Sequence, residues 1–151
     1  MRPFILSLAL FTALCVCSDL LATGAPDENS KPFAEAHIVL QLGDGDAKTQ
    51  SRVLNVANNL IKHYGGPEMV DIEIVAYAAG IALLFPDNPN SDRISSLLAS
   101  EVGFVACMNT VETMTRATGK RPELIPASIR VQTGVAHMVK RAGEGYVIIR
   151  P

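Results

Sequence analysis

From His37 onward the apolar positions alternate between two periods. His37 to Leu42 (HIVLQL) is a mostly apolar, β-branched run closed by Gly-Asp-Gly-Asp. From Ser51 to Tyr64, Val53, Ala57, Leu60, Ile61 and Tyr64 recur at helical spacing, and Gly65-Gly66-Pro67 ends the run. Val70 to Ala78 (VDIEIVAYA) reads as a second strand, followed by Gly80 and the apolar turn Ile81 to Phe85. Pro86 to Asn90 (PDNPN) breaks the chain, and Arg93 to Ser100 forms a short helix with Ile94, Leu97 and Leu98 on one face. Phe104 to Cys107 is a third strand and Thr110 to Thr118 a helix stopped by Gly119. Ile129 to Thr133, Val135 to Ala142 and Tyr146 to Ile149 complete the pattern as strand, helix and strand. Five strands separated by helical segments predict an α/β domain: a three-layer α/β/α sandwich around a five-stranded, mainly parallel sheet.

This architecture gives one stretch chemical interest. Open α/β sheets bind ligands outside the carboxyl ends of their strands. Here those ends are Gly43 to Asp46, Tyr77 to Gly80, Cys107 to Thr110, and Thr133-Gly134. Cys107 therefore lies on the ligand-binding edge. Asn109 is a good helix N-cap, and Glu112 three residues later suggests a capping box, so a helix is expected just past the thiol. Amide N–H groups at a helix start favour negative charge and lower the pKa of a nearby thiol. A packed core thiol is the bland alternative, because free cysteine is among the most buried residue types. Tyr77, Gly80, Asn109, Thr110 and Gly134 are the expected neighbours of Cys107, with Tyr77 either touching a ligand or packed.

The N-terminus changes the cysteine arithmetic. Arg2 precedes a mostly apolar, uncharged run from Phe4 to Cys17, and small residues follow at Ala22, Gly24 and Ala25. That is the layout of a secretory signal peptide over residues 1–25, cleaved near 22–25, with export to the periplasm as the expected destination. The apolar run falls short of the roughly 20 residues that span a bilayer, so no stable membrane insertion is expected. Cys15 and Cys17 leave with such a segment, and Cys107 remains as a lone thiol. Neither a disulfide framework nor a Cys-x-x-Cys pair is then possible within one chain. Residues 26–35 are polar and proline-bearing and read as a flexible lead-in to the domain at 36–151.

Charge excludes one class and leaves the rest open. The net charge of −2 is unchanged by cleavage, since Arg2 and Asp19 leave together, and Lys140-Arg141 is too small a cluster to track nucleic acid. His37, His63 and His137 fall on different elements without ligand spacing, so no metal site and no cofactor are expected. His137 is the histidine best placed to pair with Cys107. GDGDAK after the first strand lacks the Gly-Lys-Ser/Thr ending of a phosphate loop, and its aspartates would repel phosphate. Ile81 to Phe85 is more apolar than a strand–helix connection needs, and burial in a symmetric oligomer would explain it.

Several blocks together carry a family resemblance. AHIVLQLGDGD, VLNVANNLIKHYG, EIVAYAAGIALL, GFVACMNT and VQTGVAHMVKRAGEGYVIIRP resemble the DsrE/DsrF-like family, related to the sulfur-relay subunits that carry persulfide sulfur on a cysteine. The resemblance spans essentially all of the chain from His37 to Pro151. It implies the same three-layer fold, assembly into homo-oligomers (trimers or hexamers), and Cys107 as the sulfur-carrying residue. It brings no second catalytic residue.

Two function classes follow. One is a sulfur carrier or sulfurtransferase-like protein, whose partner is a sulfur donor or acceptor protein or a small sulfane compound. The other is a non-enzymatic oligomeric module that binds a small ligand or a protein, with Cys107 structural.

Overall fold

The computed structural model describes residues 31–151, so the expected signal peptide and the first half of the lead-in lie outside the described residues. The second half of the lead-in is tied to the body. Lys31 Nζ donates to the carbonyls of Pro67 and Val70, and the Glu35 amide to that of Met69.

The elements run β1 (Ala36–Leu42), α1 (Ala47–Tyr64), a 3-10 turn (Pro67–Met69), β2 (Val70–Ala76), a 3-10 segment (Ala78–Leu84) and α2 (Ser91–Ala99). There follow β3 (Gly103–Cys107), α3 (Met108–Thr118), β4 (Ile129–Val131), α4 (Gly134–Gly143) and β5 (Val147–Ile149). All five strands are parallel, in the order β4-β3-β2-β1-β5. This is the expected α/β fold. Helix boundaries differ from the sequence reading mainly at three starts, α2 beginning at Ser91 rather than Arg93. α1 begins four residues early because Asp46 caps it, accepting from the Thr49 amide at 2.9 Å. α3 begins at Met108 rather than Thr110, which makes Cys107 itself the N-cap.

Period-two alternation sends the strands' even-numbered residues to one face. Ile38, Leu40, Leu42, Ile72, Ile74, Ala76, Phe104 and Ala106 join Val53, Leu54, Ile94, Leu97 and Val111 in the main core. The second face is thinner. Val39, Val75 and Val105 meet Met138 of α4, and α4 is the helix that packs over them. The two layers of helix are therefore unequal.

The Ile81–Phe85 segment departs from expectation. Ile81, Leu83 and Leu84 are fully buried inside this chain, in the 3-10 segment that closes the main core. Their hydrophobicity is explained by the protomer and does not call for an oligomer. Exposed apolar side chains lie instead at Val135 and Val139 of α4, Ile129 of β4, and Val147 and Ile148 of β5. Among the described residues no helix is long and apolar enough to cross a membrane.

Candidate functional site around Cys107

β3 and β4 are neighbours, yet the chain leaves them on opposite sides of the sheet. α3 follows β3 and packs Val111 into the main core; α4 follows β4 and packs Met138 on the other face. Right-handed crossovers demand this, because the path turns back from edge strand β4 to β5 at the far side. The two helices open a crevice at the carboxyl ends of β3 and β4, the kind of switch point where α/β sheets hold ligands. Cys107 is the last residue of β3 and stands in that crevice.

Cys107 is 5% exposed and sits at the starts of both helices. As a thiol, Sγ donates over 3.9 Å to the carbonyl of Gln132. Its pKa is set by opposing effects. Burial is the largest and pushes it up; the amide of Gly134, then the amide and hydroxyl of Thr110 and the amide of Asn109, hold it below its ordinary value. No α3 amide closes a cap hydrogen bond on the uncharged thiol. The arrangement favours the thiolate, which the amides of Gly134 and Thr110 at two helix N-termini stabilise.

The other expected neighbours divide into two groups. Thr110 and Gly134 supply the donors that lower the pKa of the thiol most. Gly134 suits the close packing: a Cβ there would lie 3.1 Å from Cys107 Cβ and 3.3 Å from Val75 Cγ1, so a neighbour would have to give way. The Asn109 amide donates to the Gln132 carbonyl at 3.0 Å and lies near enough to the sulfur to lower its pKa slightly, while its side chain does something other than cap the helix. Asn109 Oδ1 accepts from Gln132 Nε2 at 2.7 Å, and its Nδ2 donates to Thr133 Oγ1 at 2.9 Å. Glu112 accepts from the same Gln132 amide at 3.2 Å. The expected capping box is thus a clasp between α3 and the β4–α4 turn, because Cys107 already occupies the cap position.

Tyr77 flanks Gly134 through its Cβ, and its hydroxyl accepts from Gln41 on β1. Gly80 belongs to the scaffold. Its amide donates to Gly43 and Tyr77 carbonyls, and a Cβ would sit 2.3 Å from the Leu42 carbonyl oxygen. Gln132 was not named in the sequence reading, and Thr133 and Ala78 lay in its strand-end segments without being given a role. The first two were accessible to the same strand-end logic, since VQTG follows β4. The left-handed backbone of Ala78 (φ 47) was not legible, because it carries no sequence mark in alanine.

The histidines go elsewhere. His137 Nε2 lies 2.7 Å from Glu73 Oε2 rather than serving Cys107. His37 stacks against Tyr146 with ring centroids 5.2 Å apart, and His63 meets the edge of Tyr64. Beside the thiol's helix a groove of about 440 Å³ runs between the 3-10 segment and α3, lined by Ala78, Ala82, Asn109, Thr110, Thr113 and Met114.

The chain is similar to one solved structure in particular. A protein of unknown function from Methanobacterium thermoautotrophicum, MTH1491, shares 31% sequence identity with it. The match covers 78% of this chain and 100% of that one, with a TM-score of 0.68. No family model matches the chain, and no curated protein does.

Proposed function

The chain belongs to one family with MTH1491 of Methanobacterium thermoautotrophicum, and from that premise we propose that it is an exported sulfur carrier, sulfurtransferase-like, working through Cys107. The observation that carries this reading is the placement of Sγ between the N-termini of α3 and α4, where its pKa is lowered despite burial. The DsrE/DsrF-like resemblance of the GFVACMNT block supports it independently.

The chemistry needs only this thiolate and a sulfane compound. Cys107 thiolate attacks the outer sulfur of a donor such as thiosulfate. A Cys107 Sγ–S bond forms, the donor's S–S bond breaks, and sulfite leaves with the bonding electron pair. The persulfide carries the negative charge, which the Gly134 and Thr110 amides and the Thr110 hydroxyl stabilise. An acceptor thiolate then takes the outer sulfur, and the Cys107 thiolate is regenerated. The balance closes without an oxidant, a metal or a cofactor. The groove beside α3 offers the acceptor a mainly apolar seat bounded by the two site residues Asn109 and Thr110.

The partner is a sulfur donor or acceptor, protein or small sulfane compound, met in the periplasm after removal of residues 1–25. Assembly as a homo-oligomer, a trimer or hexamer, would cover Val135 and Val139, which are 52% and 69% exposed on the helix of the thinner layer. The competing reading is a binding module with a structural thiol, and the low exposure of Cys107 favours it. Alkylation of the folded protein separates them: a carrier's thiol reacts at neutral pH with a depressed pKa, and a packed thiol reacts only on unfolding.

A further inference from the structure

Glu73 projects from the middle of β2 onto the thinner face and is 4% exposed. β2 is the central strand, buried along its whole length and paired to β1 and β3. A carboxylate so placed must be matched by donors. Its partners are two residues of α4 one turn apart. Oε2 lies 2.7 Å from His137 Nε2, and Oε1 accepts from Arg141 Nε at 3.0 Å and Nη2 at 2.6 Å. Arg141 is braced in turn by Glu144 at 2.9 Å and by the face of Tyr146, 4.9 Å from the ring centroid.

This grip matters because α4 has little else to hold it. Its buried apolar contact is Met138 against Val39, Val75 and Val105, while Val135 and Val139 point outward. The same helix begins at Gly134, whose amide faces Cys107. We infer that Glu73 is a positioning residue for Cys107: by clamping His137 and Arg141 to the central strand, it fixes the first turn of α4 over the sulfur. The inference rests on the sulfur-carrier reading and deepens it by naming what keeps the second helix in place.

Direct electrostatics would act with the opposite sign. Glu73 pairs with Gly103, and Cys107 lies four residues further along β3, about 13 Å at strand rise. The field of this carboxylate, offset in part by Arg141 beside it, raises a thiol's pKa. Removing the charge alone would therefore lower the pKa of Cys107. Losing the clamp raises it. The other charged and titratable groups on this face are His37 and Asp71 from the strands, Tyr146 before β5, and Lys140 and Glu144 on α4 and at its end. All are left in place by a substitution at Glu73.

The test measures iodoacetamide alkylation of Cys107 against pH in the mature protein, in Glu73→Gln and in Glu73→Asp. Glu73→Asp keeps the charge but shortens the reach by one methylene, and it decides the matter if Glu73→Gln does not fold. In both variants we expect the thiol pKa to rise and alkylation at neutral pH to slow about two- to fivefold, the worth of one helix terminus. A pKa that is unchanged or lower overturns the positioning role, even if the unfolding midpoint falls. Uptake of sulfur from thiosulfate, measured in parallel, judges the carrier reading separately. The pKa comparison needs only that the thiol titrates, so either idea can fail while the other stands.

Discussion

The amide of Ala78 donates to Oγ1 of Thr110 over 3.0 Å, and so joins the end of β2 to the first turn of α3. The same Thr110 hydroxyl helps to hold the Cys107 pKa below its ordinary value. Ala78 adopts a left-handed backbone here (φ 47), a conformation that costs an alanine of order 1 kcal/mol. The strain sits beside the thiol, at the carboxyl end of the sheet.

Thr110→Val keeps the shape and removes the hydroxyl. We predict a higher Cys107 pKa, slower alkylation at neutral pH and a stability loss of about 1 kcal/mol from the unmatched Ala78 amide. Thr110→Ser should restore the pKa nearly to that of the native protein. Equal thiol pKa values in the valine and serine variants would remove the hydroxyl from the account.

Gly134→Ala tests the approach of α4 to the sulfur. Helix propensity alone favours alanine by up to about 1 kcal/mol. Against this, the new Cβ meets Cys107 Cβ at 3.1 Å and the β-branched Val75 at 3.3 Å, and overpacking of that kind costs about 1–3 kcal/mol. We expect a net destabilisation of roughly 1 kcal/mol in urea melts, with a raised thiol pKa as the helix start is pushed away. A more stable protein with an unchanged thiol would mean that the crevice is loosely packed.

Much of this was legible in the sequence, and the limits are physical. The strands and helices follow from periodicity because apolar alternation at two and at 3.6 residues survives without tertiary information. The address of Cys107 followed from the order of elements. The role of Asn109 and Glu112 did not, since a capping box and an inter-element clasp use the same residue types, and only the β4–α4 turn decides between them. Ile81 to Phe85 misled for a related reason: burial in the protomer and burial between copies demand the same side chains. Glu73 was hidden in a strand pattern, where a charged residue at every second position looks solvated until α4 is laid over it.

Stability should carry the signature of the thiol's ionisation. The Cys107 pKa is lowered from an ordinary 9.0, so the folded state favours the thiolate. A depressed pKa contributes stability that is fully present above the unfolded value and is lost as pH falls through the folded one. The stability difference between native protein and Cys107→Ser should therefore grow as pH rises from about 6 to about 9.5, measured by urea midpoints. A difference that stays constant across that range would show that folding leaves the thiol's pKa where it was.

Assembly has its own test on α4. Val139 is 69% exposed, and Val139→Asp places a charge on the apolar stripe it shares with Val135. The native protein should sediment as a trimer or hexamer at micromolar concentration, and the variant as a monomer with an unchanged fold by circular dichroism. A native protein that is already monomeric would leave the stripe as ordinary surface.

The central claim is that Cys107 accepts sulfane sulfur, and intact-mass spectrometry tests it most directly. Mature protein incubated with thiosulfate or a polysulfide should gain the mass of one sulfur atom, lose it on addition of an acceptor thiol, and gain nothing as Cys107→Ser. A folded native protein that gains no sulfur, with Cys107 inert to alkylation until it is unfolded, would contradict the account and leave the thiol as core packing.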